Sequence, residues 1–227
     1  MPDLLITIDG PAASGKSTIA RRLAEKLGAT FLDTGAMYRA ATLAAIQAGV
    51  DMSDEQKLLK VIGTSDFQFL AEQGRMAVYL NGVDVTEKIR EPEVTAKAKY
   101  IASSAKLRGK LVQMQREFAA KAKKLVTEGR DQGTVAFPDA DIKFYLTADL
   151  SERAKRRQAE LKAQGVNEGL EQIQEAIGQR DISDQSRATG PLKPAGDAIV
   201  IDTTDLSIED TVEEVLHCVE QKCSKKG

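Results

Sequence analysis

Two cysteines and one histidine are all that the 227 residues contain of either type, which narrows the chemistry at the outset. Cys218 and Cys223 fall five apart on one expected helix, a spacing that puts them off a common face. They read as free thiols, neither disulfide nor metal pair. His217 lies on the same helix and reads as surface structure. A basic excess is missing as well. The 32 Lys and Arg face 34 Asp and Glu, a net charge of −2, so composition supports no nucleic-acid partner. No run of 18 apolar residues occurs, and none is expected to span a membrane. No basic segment followed by an apolar one opens the chain, so a cytoplasmic location is expected. Internal repeats and low-complexity linkers are absent. With 42% hydrophobic residues, one domain with a proper core is expected. No exposed amphipathic seam stands out, which makes a monomer the default.

What is present begins at Gly10-Pro11-Ala12-Ala13-Ser14-Gly15-Lys16-Ser17, followed by Thr18. This fits G-x-x-x-x-G-K-[ST], the phosphate-binding loop. Glycines let consecutive N–H groups curl around phosphate oxygens. Lys16 would reach the β- and γ-phosphates of ATP, and the Ser17 hydroxyl would ligate Mg²⁺. Leu4–Ile8 is an apolar run that reads as a buried strand. Ser17–Leu27 has a helical period (Ile19, Ala20, Leu23, Ala24, Leu27) closed by Gly28. The helix N-terminus then faces the phosphates.

Further along, Ala29–Leu32 reads as a second strand and about Ala36 to Gln47 as a helix stopped by Gly49. Functional groups in parallel α/β sheets gather at the strands' C-terminal ends, which places Thr34 and Arg39 where a second ligand would face ATP. Residues 53–63 read as a short helix capped by Ser53. Short strands are expected at 66–70, 76–80 and 83–85, with Gly74 in one connection and Asn81-Gly82 as a hairpin turn in the next. An antiparallel hairpin here is an insert in an otherwise alternating α/β chain. Helices are expected at 93–103 and from Leu107 to about Lys123, where Lys121, Lys123 and Lys124 complement the dipole.

Leu125–Thr127 reads as a third buried strand running into Glu128-Gly129-Arg130-Asp131-Gln132-Gly133-Thr134. A carboxylate at its end can hold a water of the Mg²⁺ shell, and Gly129 and Gly133 would let the backbone pass close to a ligand. A fourth strand is expected at 142–146, charged helices at 151–164 and 170–182, and a fifth strand at 198–201. Arg180, Asp184 and Arg187 project one way if that second helix continues to Gly190-Pro191. Ser207 caps a final amphipathic helix, and Lys222 onward reads as a polar tail.

A hydroxyl acceptor for the phosphoryl group would need a base. A phosphate monoester would not, since its second pKa of about 6 leaves it largely dianionic at pH 7. The difficulty is then bringing two polyanions together, a task suited to the guanidinium fork. Arg39, Arg108, Arg130, Arg153, Arg157, Arg180 and Arg187 supply it, with no histidine among them. Together with the phosphate loop they favour phosphoryl transfer onto a phosphate.

The chain closely resembles the bacterial cytidylate kinases of the nucleoside monophosphate kinase group. The resemblance rests on residues 8–18, Leu-Asp-Thr-Gly-Ala-Met-Tyr-Arg (32–39), residues 128–140, Ser-Glu-Arg-Ala-Lys-Arg-Arg (151–157) and Arg180-Asp181…Asp184…Arg187. The insert at roughly 64–90 also matches. The resemblance runs end to end and implies an α/β fold: a five-stranded parallel kinase core (about 1–63, 104–150 and 191–227), an acceptor-binding region with an antiparallel insert (about 64–103) and a short helical lid (about 151–190). It implies Mg·ATP as donor and CMP or dCMP as acceptor. Thr34, Arg39 and Arg130 would hold the acceptor phosphate. Arg108 and Asp131 match the cytosine readers, because a carboxylate accepts from N4 and a guanidinium donates to O2 and N3. Arg180, Asp184 and Arg187 match the ribose and phosphate contacts. Lys16 and Arg130, with Arg153 and Arg157 from the lid, would act on the transferring group. Where the family carries a serine nine residues before Arg108, this chain has Lys99, which cannot accept a hydrogen bond; the contact is expected to be shifted or lost. The alternatives are a kinase for another monophosphate such as UMP, or a nucleotide-dependent switch protein.

Overall fold

The computed structural model describes residues 2–72, 75–163 and 165–224. Gly74 and Gln164 lie outside the described residues. Strand β1 (Leu4–Asp9) is followed by α1 (Lys16–Leu27), β2 (Thr30–Asp33), α2 (Thr34–Gln47) and α3 (Glu55–Thr64). Three short strands come next: β3 (Phe67–Glu72), β4 (Arg75–Leu80) and β5 (Val83–Asp84). Helices α4 (Pro92–Ser103) and α5 (Ala105–Ala119) lead to β6 (Lys124–Gly129) and β7 (Ile142–Thr147). Then α6 (Leu150–Ala163), α7 (Leu170–Gln185), β8 (Ile199–Asp202) and α8 (Ile208–Ser224) complete the chain.

The main sheet has the order β2-β6-β1-β7-β8 and every pairing in it is parallel. β1 sits at its centre. A parallel strand covered on both faces needs apolar residues on both, and Leu5, Ile6 and Ile8 are all buried. The period of two divides them. Ile6 and Ile8 join Phe31, Val126 and Phe144 against α1 and α8. Leu5 packs on the opposite face with Leu32, Met37 and Leu43 of α2. Thr7 and Asp9 share the parity of Leu5 and are also buried, so the polar end of β1 points into one side of the sheet. There the site is built.

The second sheet, β3-β4-β5, is antiparallel as expected. Asn81 and Gly82 turn it, with φ of 51° and 79°, the pair of left-handed residues that a two-residue hairpin favours. Its residues Met76, Val78, Leu80 and Val85 join the same apolar cluster as Leu5 and α2, so the insert shares the core.

Several boundaries differ from expectation. Asp54, not Ser53, caps α3, its side chain accepting from the Lys57 amide. Helix α5 stops at Ala119, and Lys124 opens β6 rather than closing a helix. Helix α7 ends at Gln185, before Gly190-Pro191, leaving Arg187 beyond the helix. Lys222 lies inside α8, which reaches Ser224. Residues 132–136, for which no element is expected, form a single π turn. Among the described residues no helix is long and apolar enough to cross a membrane. Cys218 is half-buried, Cys223 is exposed, and neither is in a disulfide.

Candidate active site

The loop from Gly10 to Gly15 leaves the C-terminal end of β1 and enters α1 directly, with Gly15 as N-cap at φ 83°. Gly15 needs that left-handed backbone, with open space where a Cβ would project. Gly10 answers a different demand, since a Cβ there would lie 2.1 Å from the Leu146 carbonyl oxygen of β7. Lys16 is buried and donates to the Pro11 carbonyl at 2.8 Å, inside its own loop. Burial pushes its ammonium down to about 7, and the Arg130 and Arg180 guanidinium groups add to the effect. Ser17 donates to Glu128 Oε1 at 3.0 Å. Burial, and then Asp33, push the Glu128 carboxyl up. Ser14 Oγ is buried in the loop without a hydrogen-bond partner.

Neighbouring strands bring the second half of the site alongside. Asp9 pairs with Gly129 in the sheet register, so the chain after β6 emerges next to the loop. Asp9 accepts from the Gln132 and Gly133 amides, both at 2.8 Å. It thereby fixes the π turn directly after Arg130-Asp131, although burial pushes its own carboxyl up to about 7. Gly129 and Gly133 are small for protein neighbours, not for a ligand. A Cβ would meet Gln132 and Thr34 at the first, and Thr7 and Lys143 at the second. Thr34 is buried at the start of α2 and donates to the Glu128 carbonyl at 2.7 Å. Asp33 caps α2 through the Ala36 amide and accepts from Arg39 at 3.2 Å, which aims Arg39 along the helix start.

Arg108 of α5 and Asp131 form a directly hydrogen-bonded ion pair, with side chains 3% and 5% exposed. The Tyr38 ring centroid lies 5.7 Å from the Arg108 guanidinium carbon, and the Tyr38 hydroxyl is buried without a partner. Gly190 closes the pair from the other side. It stands at φ 62°, and a Cβ there would lie 2.3 Å from both Arg108 Nη2 and Asp131 Oδ2. Gly190→Ala is therefore expected to cost about 1–2 kcal/mol for the left-handed backbone alone, plus displacement of a buried ion pair. Chemical denaturation measures it. Gly190→Asn, which tolerates that backbone better, should recover only part of the loss because its Cβ still meets the pair.

The remaining arginines divide into two groups. Arg130 donates to Asp184 Oδ2 at 2.8 Å, and Arg187 pairs with Asp184 Oδ1. Burial opposes ionisation of Asp184, yet Arg130, Arg187 and Arg180 outweigh it and hold the carboxyl below its usual range. Arg180 keeps an exposed side chain and is pushed down to about 10, chiefly by Arg130. Arg39, Arg130, Arg180 and Arg187 thus form one cationic cluster, two of whose members, Arg130 and Arg180, also act on Lys16. Arg153 and Arg157 stand apart from it. Arg153 is buried and donates to the Ala148 and Ala12 carbonyls and to Asp181. Arg157 pairs with Glu160 on the outer part of α6. Lys99 is exposed on α4, its ammonium 5.3 Å from the Tyr100 ring centroid. The α4 group that reaches Arg108 is the Ala102 carbonyl, at 3.4 Å.

The donor set fits a polyphosphate and a hard cation. A buried ammonium, an orphaned loop hydroxyl and the α1 N-terminus suit anionic oxygens. An accessible Ser17 hydroxyl against a carboxylate suits an oxygen-seeking ion that keeps most of its ligands from phosphate and water. No cluster of three or more His, Cys, Asp or Glu capable of caging a metal occurs among the described residues. Asp9, Tyr38 and Gly190 were not anticipated from sequence. The one sequence signal was a carboxylate directly before Gly10, at the end of an apolar strand.

Residues 6–221 match the family described as Cytidylate kinase. A protein named "Cytidylate kinase" from Caldicellulosiruptor bescii is 45% identical over 216 residues, covering 95% of each chain. One of the same name from Pasteurella multocida is 42% identical over 224 residues, covering 99% of this chain and 98% of that one. A solved structure of an uncharacterized protein from Eubacterium ventriosum superposes with a TM-score of 0.51 at 15% identity, covering 96% of this chain and 99% of that chain. At that identity the likeness concerns the fold alone.

Proposed function

The chain belongs to the cytidylate kinase family, and from that premise we propose that Mg·ATP phosphorylates CMP and dCMP here, giving CDP and dCDP. The observation that carries the acceptor's identity is the buried Arg108–Asp131 pair beside Tyr38. A base edge offering an amino donor next to a ring-nitrogen acceptor satisfies both partners at once. Asp184, held ionised by three arginines, accepts from a ribose hydroxyl. Arg39, Arg130 and Arg187 grip the monophosphate, with the Thr34 hydroxyl beside them.

On the donor side, loop amides and Lys16 hold the β- and γ-phosphates, and Ser17 and Glu128 would hold the cation. The cation, when bound, shields phosphate charge and orients the donor. No side chain need act as a base, because the acceptor arrives as a dianion. The chain supplies alignment and countercharge: Lys16 from the loop, Arg130 from the end of β6, and Arg157 from a lid closing over about 151–190. Arg153 supports the loop by its grip on Ala12.

The test is ADP formation from Mg·ATP with CMP, dCMP, UMP, AMP or no acceptor. CMP and dCMP should be turned over fast, UMP weakly and AMP little. Comparable UMP and CMP rates would keep the kinase reading and make Lys99 the residue to test by Lys99→Ser. ATP binding with no acceptor-dependent turnover would overturn the kinase reading.

A further inference from the structure

We propose that Asp181 is a positioning residue for the phosphate loop: with Arg153 it grips both backbone groups of Ala12 and holds the strained residue that follows. The Ala12 amide donates to Asp181 Oδ1 at 3.3 Å, and the Ala12 carbonyl accepts from Arg153 Nη1 at 3.1 Å. The same nitrogen donates to Asp181 Oδ2 at 2.5 Å, and Arg153 Nε donates to Ala148 at the end of β7. Asp181, Arg153 and Ala12 are all buried. Ile173 and Ile177 of α7 and Ala154 of α6 close over Ala12, with Ala13 against them. Four chain segments therefore meet at one residue of the loop.

That residue precedes Ala13, which stands at φ 58°. Outside glycine, a left-handed residue costs roughly 1–2 kcal/mol and persists only where its surroundings over-determine it. Left-handed Ala13 and Gly15 give the loop the concave run of N–H groups that receives an anion. The Ala12 amide is spent on Asp181 and takes no part in that run. Its fixed direction sets where the following amides point. Asp181 has neighbours on α7 that face the nucleotide side, Arg180 and Asp184, yet among the described residues its own carboxylate hydrogen-bonds to the Ala12 amide and to Arg153.

The inference rests on the kinase reading for its kinetic arm but not for its binding arm. In Asp181→Asn one oxygen still accepts from Ala12 while the amide nitrogen opposes Arg153. ATP affinity, titrated without acceptor, should fall tenfold or more. CMP affinity, titrated without ATP, should stay within twofold, and KM for ATP should rise while KM for CMP does not. Adding Ala13→Gly, which removes the need to hold the backbone, should recover most of the ATP affinity. A purely structural Asp181 would lower the melting temperature without splitting the two substrates and without rescue. If Asp181→Asn does not fold, Arg153→Lys keeps the charge opposite Asp181 but loses the bridge to Ala12, and should show the same split. Unchanged ATP affinity in the folded variant, or equal loss for both nucleotides, overturns the proposal. Loss of acceptor-dependent turnover in the unsubstituted protein would overturn the kinase reading and leave the binding arm standing.

Discussion

Lys16→Ala is expected to lower kcat by a factor on the order of 10²–10³, the usual loss when one preorganised donor to developing charge is removed. The substitution takes out the only ammonium of the loop, buried and hydrogen-bonded within it. CMP affinity should change little, since no contact links Lys16 to Arg108 or Asp131. A proton signature separates this effect from simple misfolding. In the empty protein burial and the neighbouring guanidinium groups press Lys16 down to about 7. Bound polyphosphate favours the charged form and raises that value again. ATP binding above about pH 7 must then take up a proton, and ATP affinity must fall as pH rises beyond that point. Below it Lys16 is already protonated and the dependence flattens. Calorimetry in buffers of different ionisation enthalpy reads the uptake, which should vanish in Lys16→Ala. An unchanged uptake would reassign the proton to another group.

Asp131→Ala should be the most damaging substitution for the fold as well as for recognition. It leaves the Arg108 guanidinium buried without its carboxylate. Removing one partner of a buried pair costs about 3–5 kcal/mol, a large share of the typical 5–15 kcal/mol that holds a domain folded. Asp131→Asn separates the two consequences. It keeps the volume, so most of the protein should fold. Its amide offers a donor as well as an acceptor, so the advantage of an amino-bearing base is lost. At roughly 1–3 kcal/mol for a good base contact, the CMP-over-UMP preference should shrink by about tenfold to a hundredfold. Melting curves and paired CMP and UMP kinetics measure both. A preference that survives Asp131→Asn would move base selection elsewhere, with Tyr38 the first residue to examine.

The core strands and the phosphate loop were legible because a doubly covered strand must be apolar and because the loop's fixed residues are contiguous. The hairpin was legible because Asn81-Gly82 has few other uses. What escaped depends on groups distant in sequence. Asp9 looks like a strand-end residue until β6 is placed beside β1. The π turn at 132–136 exists because Asp9 supplies acceptors for its first amides, so no local pattern announces it. Gly190 reads as a helix stop, yet α7 has already ended and the glycine instead fits against a side-chain pair from α5 and the end of β6. Arg153 matches Arg157 in composition and spacing. Only burial separates an arginine that braces the loop from one left at the surface of α6.

The adjacency of β1 and β6 has a mechanical side. Two polyphosphates brought within reach of each other push apart, at about 4 kcal/mol for each pair of unit charges 4 Å apart near a protein surface. Before countercharges settle, that load tries to spread the segments carrying the two nucleotides. Those segments leave hydrogen-bonded neighbouring strands in register from Leu4–Lys124 to Asp9–Gly129, and the Asp9 carboxylate staples them once more beyond the last rung. The thrust is delivered to a hydrogen-bonded seam at the centre of the sheet, and the gap the phosphoryl group must cross stays the width the sheet sets.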